Sequence, residues 1–307
     1  MKVLIATEKP FAKVAIEGIK QELDGVDYEV VLLENYTEKQ QLLDAVADVD
    51  AMIVRSDIVD EEVIQAGKNL KIVVRAGAGY DNIDLEAATR AGVCVMNTPG
   101  QNANAVAELV FGMLIYGVRS FFNGGSGTEL KGKKLGIHAY GNIGKNVARI
   151  AKGFGMSLLA YDTYSRSEVI NNDGIDPTIS VKTLYKHSDI VSIHVPLTDK
   201  TRGLVGKILL SQMKPNAVLI NTARKEIVNE QDLLDFMIEN PKFKYLTDVK
   251  PDMHEQFMEK VPNQYFATAK KMGASTSEAN VNAGIAAAHQ IADYLKNGND
   301  RYRVNEK

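Results

Sequence analysis

The sequence predicts an α/β fold made of two doubly wound, parallel-sheet domains. The chain has 307 residues, more than a single hydrophobic core usually holds. Short apolar runs alternate with amphipathic segments, as in parallel strands joined by helical crossovers. After the loop-like segment NGGSGT (123–128), the alternation restarts at Lys134. Two separate sheets are therefore expected to follow one another along the chain.

The first hundred residues contain five apolar runs that predict buried parallel strands: VLIAT (3–7), EVVLL (29–33), AMIV (51–54), KIVV (71–74) and VCVM (93–96). Segments such as FAKVAIEGIKQEL and DEEVIQAG predict the helices between them. The second sheet is predicted from the runs KLGIHA, SLLAY, DIVSIHV, AVLIN, YLTD and YFATA.

The joint between the domains is predicted after Asn97-Thr98-Pro99-Gly100, because Pro and Gly interrupt regular structure. The apolar segment AVAELVFGMLIYGV then carries the chain into the second domain, and the helical stretch 277–296 carries it back. The predicted domains are 1–98 with 284–307, and 99–283. The first is expected to be flavodoxin-like and the second Rossmann-like, with the active-site cleft between them.

Composition excludes several classes of protein. The net charge of −3 has no basic excess, which argues against a nucleic-acid partner. Apolar runs are too short for a membrane span, and the N-terminal run is too short for a signal peptide, so a cytoplasmic location is expected. The single cysteine, Cys94, cannot form an intrachain disulfide. No metal site is expected.

The stretch from Leu135 to Asp162 has the order that dinucleotide binding requires: strand, glycine-bearing turn, helix, strand and acid. Gly141 permits close approach of a pyrophosphate, and Gly144 permits close packing of helix on sheet. Asp162 follows Gly144 by 162 − 144 = 18 residues and suits the ribose hydroxyls, which favours NAD over NADP. Ala139 replaces the first glycine of the pattern and is expected to keep a negative φ.

Ligands of open α/β sheets bind beyond the carboxyl ends of the strands. Arg224, after the run AVLINTA, can hold a carboxylate with two parallel hydrogen bonds. Asp248 is expected to face the nicotinamide end of the cofactor. The backbone of Ala76, Gly77, Ala78 and Gly79 offers N–H groups to an anion. Arg55 and Arg75, each ending a strand, together suit a phosphate group.

Together these residues resemble the D-2-hydroxyacid dehydrogenase family over nearly the whole chain. The matching segments are VRAGAGYDNID (74–84), MNTPGQNANAVAEL (96–109), LGIHAYGNIG (135–144), DIVSIHVPLT (189–198), INTARKEIVNE (220–230) and GAST (273–276). Within the family the chain looks most like the short phosphoglycerate dehydrogenases, and Arg75 is the residue that points to them. The resemblance implies oxidation of 3-phosphoglycerate to 3-phosphohydroxypyruvate, the entry step of serine synthesis. It also implies a homodimer formed through the NAD-binding domain.

The family's catalytic trio is Arg, Glu and His, and only the arginine, Arg224, is matched. Lys271 stands where the histidine is normally found, and Met253 where the glutamate is. A histidine needs a carboxylate to raise its pKa as an acid, whereas a lysine is protonated at neutral pH without one. Lys271 is therefore predicted to be the acid/base. Lys270 is its rival, because adjacent residues of an extended segment point to opposite sides.

Three alternatives stay open. In the first, Asp252 or Glu255 replaces the glutamate through a shifted loop. In the second, the protein is a reductase of glyoxylate, hydroxypyruvate or another small 2-keto acid, which needs neither Arg55 nor Arg75. In the third, the chain is a non-catalytic NAD-sensing regulator with a dead site.

The resemblance also assigns residues to each ligand. The cofactor contacts it implies are Ala139, Gly141, Asn142, Ile143, Gly144, Asp162, His194, Val195, Pro196, Thr201, Thr222, Ala223, Arg224, Asp248, Gly273 and Ala274. The substrate contacts it implies are Arg55, Arg75, Ala76, Gly77, Ala78, Gly79, Asn102 and Lys271.

Overall fold

The computed structural model describes residues 1–165 and 167–307, and it divides the chain into two units. The first unit is Met1–Asn102 with Ser275–Lys307, and the second is Ala103–Ala274. The predicted boundaries lie after residues 98 and 283; the first differs by four residues, and the second falls inside the helix 277–297. The helix 103–118 belongs wholly to the second unit, and the helix 277–297 belongs wholly to the first.

The first unit alternates strands and helices from its first residues. Its elements are β1 (Lys2–Thr7), α1 (Lys13–Asp24), β2 (Glu29–Glu34), α2 (Lys39–Val46), β3 (Ala51–Val54), α3 (Glu61–Ala66), β4 (Ile72–Arg75), α4 (Leu85–Arg90) and β5 (Cys94–Asn97). Within the described residues its strands form one parallel sheet in the order β2-β1-β3-β4-β5. Side chains of β1 alternate between two cores, with Leu4 on one face and Ile5 on the other. Both faces of the sheet are therefore covered.

One predicted strand is not buried. The run EVVLL forms β2 as expected, but each of its residues is exposed or only half-buried. The reason is topological, because β2 lies at the edge of the sheet and pairs with β1 alone. Its apolar residues therefore face partly to solvent.

The second unit contains a larger parallel sheet. Its elements are α5 (Ala103–Val118), β6 (Lys134–His138), α6 (Asn142–Gly153), β7 (Ser157–Tyr161), α7 (Ser167–Asn172), β8 (Asp176–Pro177), α8 (Val181–His187), β9 (Ile190–Ile193), α9 (Lys207–Leu210), β10 (Val218–Asn221), α10 (Glu230–Glu239), β11 (Lys244–Thr247), α11 (His254–Lys260) and β12 (Tyr265–Ala267). Short 3-10 turns lie at Ser120–Phe122 and Lys225–Ile227. In the part of the chain that is described, the strand order is β12-β11-β10-β9-β6-β7-β8.

The strand order changes direction between β6 and β9, which are neighbours although β7 and β8 separate them in sequence. This is the switch point at which open α/β sheets bind ligands. Two apolar cores cover the faces of the sheet, one around α5 and α6 and the other around α8, α10 and α11.

The last helix, α12 (Ser277–Asn297), returns the chain to the first unit and packs along α1. Small residues make the close approach possible, since a Cβ atom at Gly18 would lie 2.6 Å from Cδ1 of Ile285. Among the described residues, no helix has the length and apolar character needed to cross a membrane. The cytoplasmic location stays a prediction.

Candidate active site

The turn between β6 and α6 has room for an anion at the helix N-terminus. Gly141 is the N-cap residue and gives α6 no side-chain cap, so the first N–H groups of the helix have no side-chain acceptor there. A Cβ atom at Gly141 would meet nothing within 4 Å, which leaves the approach open. Gly144 has no such space, because its Cβ would collide with the carbonyl oxygen of Ala139. The turn therefore fits a pyrophosphate group.

The prediction that Ala139 keeps a negative φ is wrong. Its φ is +79°, in the left-handed region that favours glycine. Hydrogen bonds on both sides hold this conformation: Ala139 N donates to Tyr161 O (2.9 Å), and Tyr140 N donates to Asp162 Oδ2 (2.6 Å). The buried Tyr140 hydroxyl also donates to Asp173 (2.8 Å). The surrounding structure thus imposes the glycine-like turn on an alanine.

Asp162 follows β7 directly and is half-buried. Its carboxylate accepts from the backbone N–H groups of Tyr140 (2.6 Å), Tyr164 (2.6 Å) and Ser165 (2.8 Å). A carboxylate has about four acceptor sites, so it can still take a ribose hydroxyl. The acid and the glycine turn are therefore parts of one hydrogen-bonded structure.

Two buried polar atoms at predicted cofactor positions have no partner among the described residues. They are Oγ1 of Thr222, after β10, and Nδ1 of His194, after β9. His194 Nε2 lies 2.9 Å from the hydroxyl of Ser192, and burial lowers the pKa of His194 to about 3. Unpaired buried polar atoms are costly, so both positions fit a ligand that brings hydrogen-bonding groups.

His138 ends β6 beside these positions and was not singled out from the sequence. Its Nδ1 lies 3.1 Å from the Tyr185 hydroxyl, and burial lowers its pKa to about 4. The loop that begins at His194 is closed by Thr201, whose hydroxyl donates to Pro196 O (2.7 Å). Both histidines are neutral at physiological pH and belong to the structure around the switch point.

The two predicted catalytic cations approach the same backbone atom. Arg224 Nη1 donates to the carbonyl oxygen of Ala223 (3.1 Å), and Lys271 Nζ lies 3.5 Å from that oxygen. Asn221 braces the turn, because its side chain accepts from Ala223 N (2.9 Å) and donates to Arg224 O (2.9 Å). Lys271 itself is an exposed residue. This geometry favours Lys271 over Lys270 as the partner of Arg224.

Asp248 fixes the segment that carries Lys271. The aspartate is fully buried, and its carboxylate accepts from the Thr268 hydroxyl (2.9 Å), Met272 N (2.9 Å) and Gly273 N (2.7 Å). A Cβ atom at Gly273 would lie 2.9 Å from that carboxylate, which explains the glycine. Contact between Asp248 and the nicotinamide stays a prediction.

The two carboxylates considered as substitutes for the missing glutamate have other partners. Asp252 pairs with Lys225, and Glu255 lies 3.7 Å from Lys250 Nζ. Met253, at the glutamate position, packs on the apolar core of the second unit.

In the first unit, the loop after β4 forms a backbone cradle. The carbonyl of Gly77 accepts from Thr98 N (2.9 Å), and the carbonyl of Ala78 accepts from the Asn97 side chain (2.6 Å). The N–H groups of Ala78 and Gly79 have no acceptor among the described residues. The loop therefore has backbone donors left for a ligand, as the prediction of an anion site requires. Asn102, half-buried, is the last residue of this unit before α5.

The two predicted phosphate arginines lie at the ends of neighbouring strands. Arg75 Nε donates to the backbone carbonyl of Arg55 (2.9 Å). The Arg55 guanidinium donates to Lys9 O (3.0 Å), Pro10 O (3.2 Å) and the Asn280 side chain (2.7 Å), and it lies 5.1 Å from the Phe11 ring centroid. Burial lowers the pKa of Arg55. Three of its five N–H donors thus serve the protein, and a phosphate must share this guanidinium.

Comparisons with known proteins identify the family of the chain. A family model described as "D-isomer specific 2-hydroxyacid dehydrogenase, NAD binding domain" matches residues 117–266. The hydroxypyruvate reductase of Thermotoga maritima is 34% identical over an alignment of 280 residues, and the match covers 86% of this chain and 90% of that protein. The D-3-phosphoglycerate dehydrogenase of Methanocaldococcus jannaschii is 34% identical over 272 residues, but the chain spans only 52% of its length.

Among solved structures, the chain is similar to an NAD⁺-bound 3-phosphoglycerate dehydrogenase of Entamoeba histolytica. The two are 44% identical with a TM-score of 0.88, and the match covers 100% of this chain and 99% of that one. The matched family, the parallel sheets and the glycine turn agree on the fold and on NAD as the cofactor. The chain therefore belongs to the NAD-dependent D-2-hydroxyacid dehydrogenase family.

Proposed function

We propose that the protein oxidises D-3-phosphoglycerate to 3-phosphohydroxypyruvate with NAD, reversibly. The observation that carries the choice of substrate is the pair of arginines at the carboxyl ends of β3 and β4, joined by the hydrogen bond from Arg75 Nε to the Arg55 carbonyl. Two guanidinium groups suit a phosphate dianion, which glyoxylate and hydroxypyruvate lack. The likeness to the phosphoglycerate dehydrogenase of E. histolytica supports the same substrate.

In this proposal Arg224 binds the substrate carboxylate. Lys271, as the neutral amine, takes the proton of the C2 hydroxyl. Bound NAD would supply the acceptor for the hydride from C2. In the reverse direction the Lys271 ammonium returns the proton to the alkoxide oxygen. Asp248 keeps Lys271 in place through the backbone of Met272 and Gly273.

The test of the substrate is the rate of NADH oxidation with 3-phosphohydroxypyruvate, hydroxypyruvate and glyoxylate. We expect kcat/KM for the phosphorylated ketone to exceed the other two by at least about tenfold, because a charge-assisted phosphate contact contributes roughly 1.5–3 kcal/mol. Arg75→Ala should remove most of this preference. Equal rates with all three ketones would contradict the substrate assignment.

The test of the acid/base is a matched pair of lysine variants. Lys271→Met should lower kcat by about 10²–10⁴-fold with NADH binding retained, because general acid–base catalysis contributes that much. Lys270→Met removes the same charge from the neighbouring residue and should change kcat by less than about threefold. Equal losses in the two variants would mean that charge, rather than proton transfer, matters there.

A reductase for hydroxypyruvate is the second candidate. It is favoured by the similarity to the T. maritima enzyme, and by the protein contacts that already occupy Arg55. Activity on hydroxypyruvate that is insensitive to Arg75→Ala would select it. NADH binding without turnover of any 2-keto acid would instead select a regulator that senses NAD.

The proposal includes a homodimer formed through the NAD-binding unit, and a cytoplasmic location. Sedimentation of the purified protein at micromolar concentration tests the dimer. A single species at the monomer mass of 33.7 kDa would refute it.

A further inference from the structure

A buried carboxylate lies among the strand ends of the first unit and has no role in the reaction described above. Asp57 is 2% exposed. Its Oδ1 accepts from Glu8 N (2.7 Å) and the Tyr36 hydroxyl (2.9 Å), and its Oδ2 accepts from Arg55 N (3.0 Å). A buried charge requires such compensation, so each of these donors is held in a defined place.

The three donors come from the segments that follow three neighbouring strands. Glu8 follows β1, Tyr36 follows β2 and Arg55 follows β3, and these strands are adjacent in the order β2-β1-β3. Burial, and then the hydrogen bond to Asp57, raise the pKa of Tyr36, so its hydroxyl remains a donor at all physiological pH values. Asp57 thus joins the carboxyl ends of these strands into one structure.

The hydrogen-bonded network around Asp57 extends to both Arg55 and Arg75. Asp57 holds the N–H group of Arg55, and the carbonyl group of Arg55 accepts from Arg75 Nε (2.9 Å). Asn82 adds a brace, because its side chain donates to the carbonyl oxygen of Asp57 (2.6 Å) and lies 3.4 Å from that of Arg55. The Arg75 guanidinium is therefore anchored to a residue that Asp57 fixes.

We propose that Asp57 is a positioning residue that sets the affinity of the enzyme for the phosphate group of its substrate. Asp57 does not touch the phosphate in this proposal. It acts by fixing the backbone of Arg55, and through it the Arg75 side chain. The inference rests on the proposed function, because it explains how the enzyme recognises a substrate that carries a phosphate group.

The principal test is Asp57→Asn, assayed with 3-phosphohydroxypyruvate and hydroxypyruvate. The amide NH₂ is a donor and cannot accept from an N–H group, so one donor loses its acceptor. We expect KM for the phosphorylated ketone to rise about tenfold or more. KM for hydroxypyruvate, kcat, and the Kd for NADH should each change by less than about threefold. A merely structural role would change both KM values together.

Two further variants control the test. Asp60→Asn makes the same change in charge in the same unit, at an exposed N-cap of α3 where Asn serves as well as Asp, and should leave both KM values unchanged. Tyr36→Phe removes one donor and keeps the carboxylate. It should raise KM for the phosphorylated ketone by about two- to threefold and leave KM for hydroxypyruvate unchanged. If Asp57→Asn does not fold, Tyr36→Phe still tests the positioning role.

The outcomes separate the two proposals. If the unmodified enzyme does not prefer the phosphorylated ketone, the substrate assignment fails and this inference fails with it. If the enzyme prefers that ketone and Arg75→Ala abolishes the preference, the substrate assignment stands. In that case, unchanged selectivity in both Asp57→Asn and Tyr36→Phe would overturn the positioning role alone.

Discussion

Ala139→Gly should stabilise the protein although it removes a methyl group. An L-residue in the left-handed region costs roughly 1–2 kcal/mol, which glycine does not incur. Glycine in turn makes the unfolded chain more flexible, at roughly 0.4–1 kcal/mol. Since φ of Ala139 is +79°, the two effects leave a net gain of about 0.8 kcal/mol in the free energy of unfolding. This corresponds to a rise in Tm of roughly 2–3 °C.

The assay is thermal and urea unfolding of the protein without cofactor. Ala47→Gly is the matched control, because Ala47 is the C-cap of α2 with φ −58° and has no strain to release. The control should lose about 0.4–1 kcal/mol, so the two identical substitutions should have effects of opposite sign. A loss of stability in Ala139→Gly as large as that of Ala47→Gly would refute the claim that the turn is strained.

Three more predictions concern the same unit. Burial holds the pKa of His138 near 4, below its ordinary 6.5, so the unfolded chain binds the proton more readily. The contribution of neutral His138 to the free energy of unfolding is complete above about pH 6.5 and falls by roughly 3 kcal/mol towards pH 4. Urea unfolding at several pH values should show this fall. The variant His138→Gln should show a smaller one. Tyr140→Phe removes the bond to Asp173 and should weaken NADH binding about three- to tenfold in a fluorescence titration, with kcat at saturating NADH unchanged. Gly144→Ala should abolish NADH binding in the same titration, because its Cβ collides with the Ala139 carbonyl; binding within threefold of the original would contradict the geometry of the turn.

Burial explains which strands are predictable from sequence. The run AMIV is buried on both faces and coincides with β3, because a central parallel strand reads as a continuous apolar run. β8, only Asp176 and Pro177, has no apolar run and is missed. β2 is predicted, but its exposure is not, because position in the sheet is a property of topology rather than of composition.

In the candidate site, residue types at strand ends are predictable and their partners are not. Arg224 is conspicuous after an apolar run, yet its approach to Lys271, 47 residues later in sequence, depends on how the segment after β12 is held. The contact of Arg55 with Asn280 spans 225 residues and has no local signal. The φ of Ala139 was predicted with the wrong sign, because the bonds of Tyr140 outweigh the local preference of alanine.

The first unit is discontinuous in sequence, and this has a consequence for biosynthesis. The second unit, residues 103–274, is continuous, and all of it is synthesised before α12. Until α12 is made, the surface of α1 around Gly18 and Ile19 is uncovered, and the apolar core that contains Ile291 is incomplete. The segment synthesised first, residues 1–102, therefore cannot complete its fold until α12 is available. While it waits, its exposed apolar surface makes this stage of translation the one most susceptible to aggregation or to capture by chaperones.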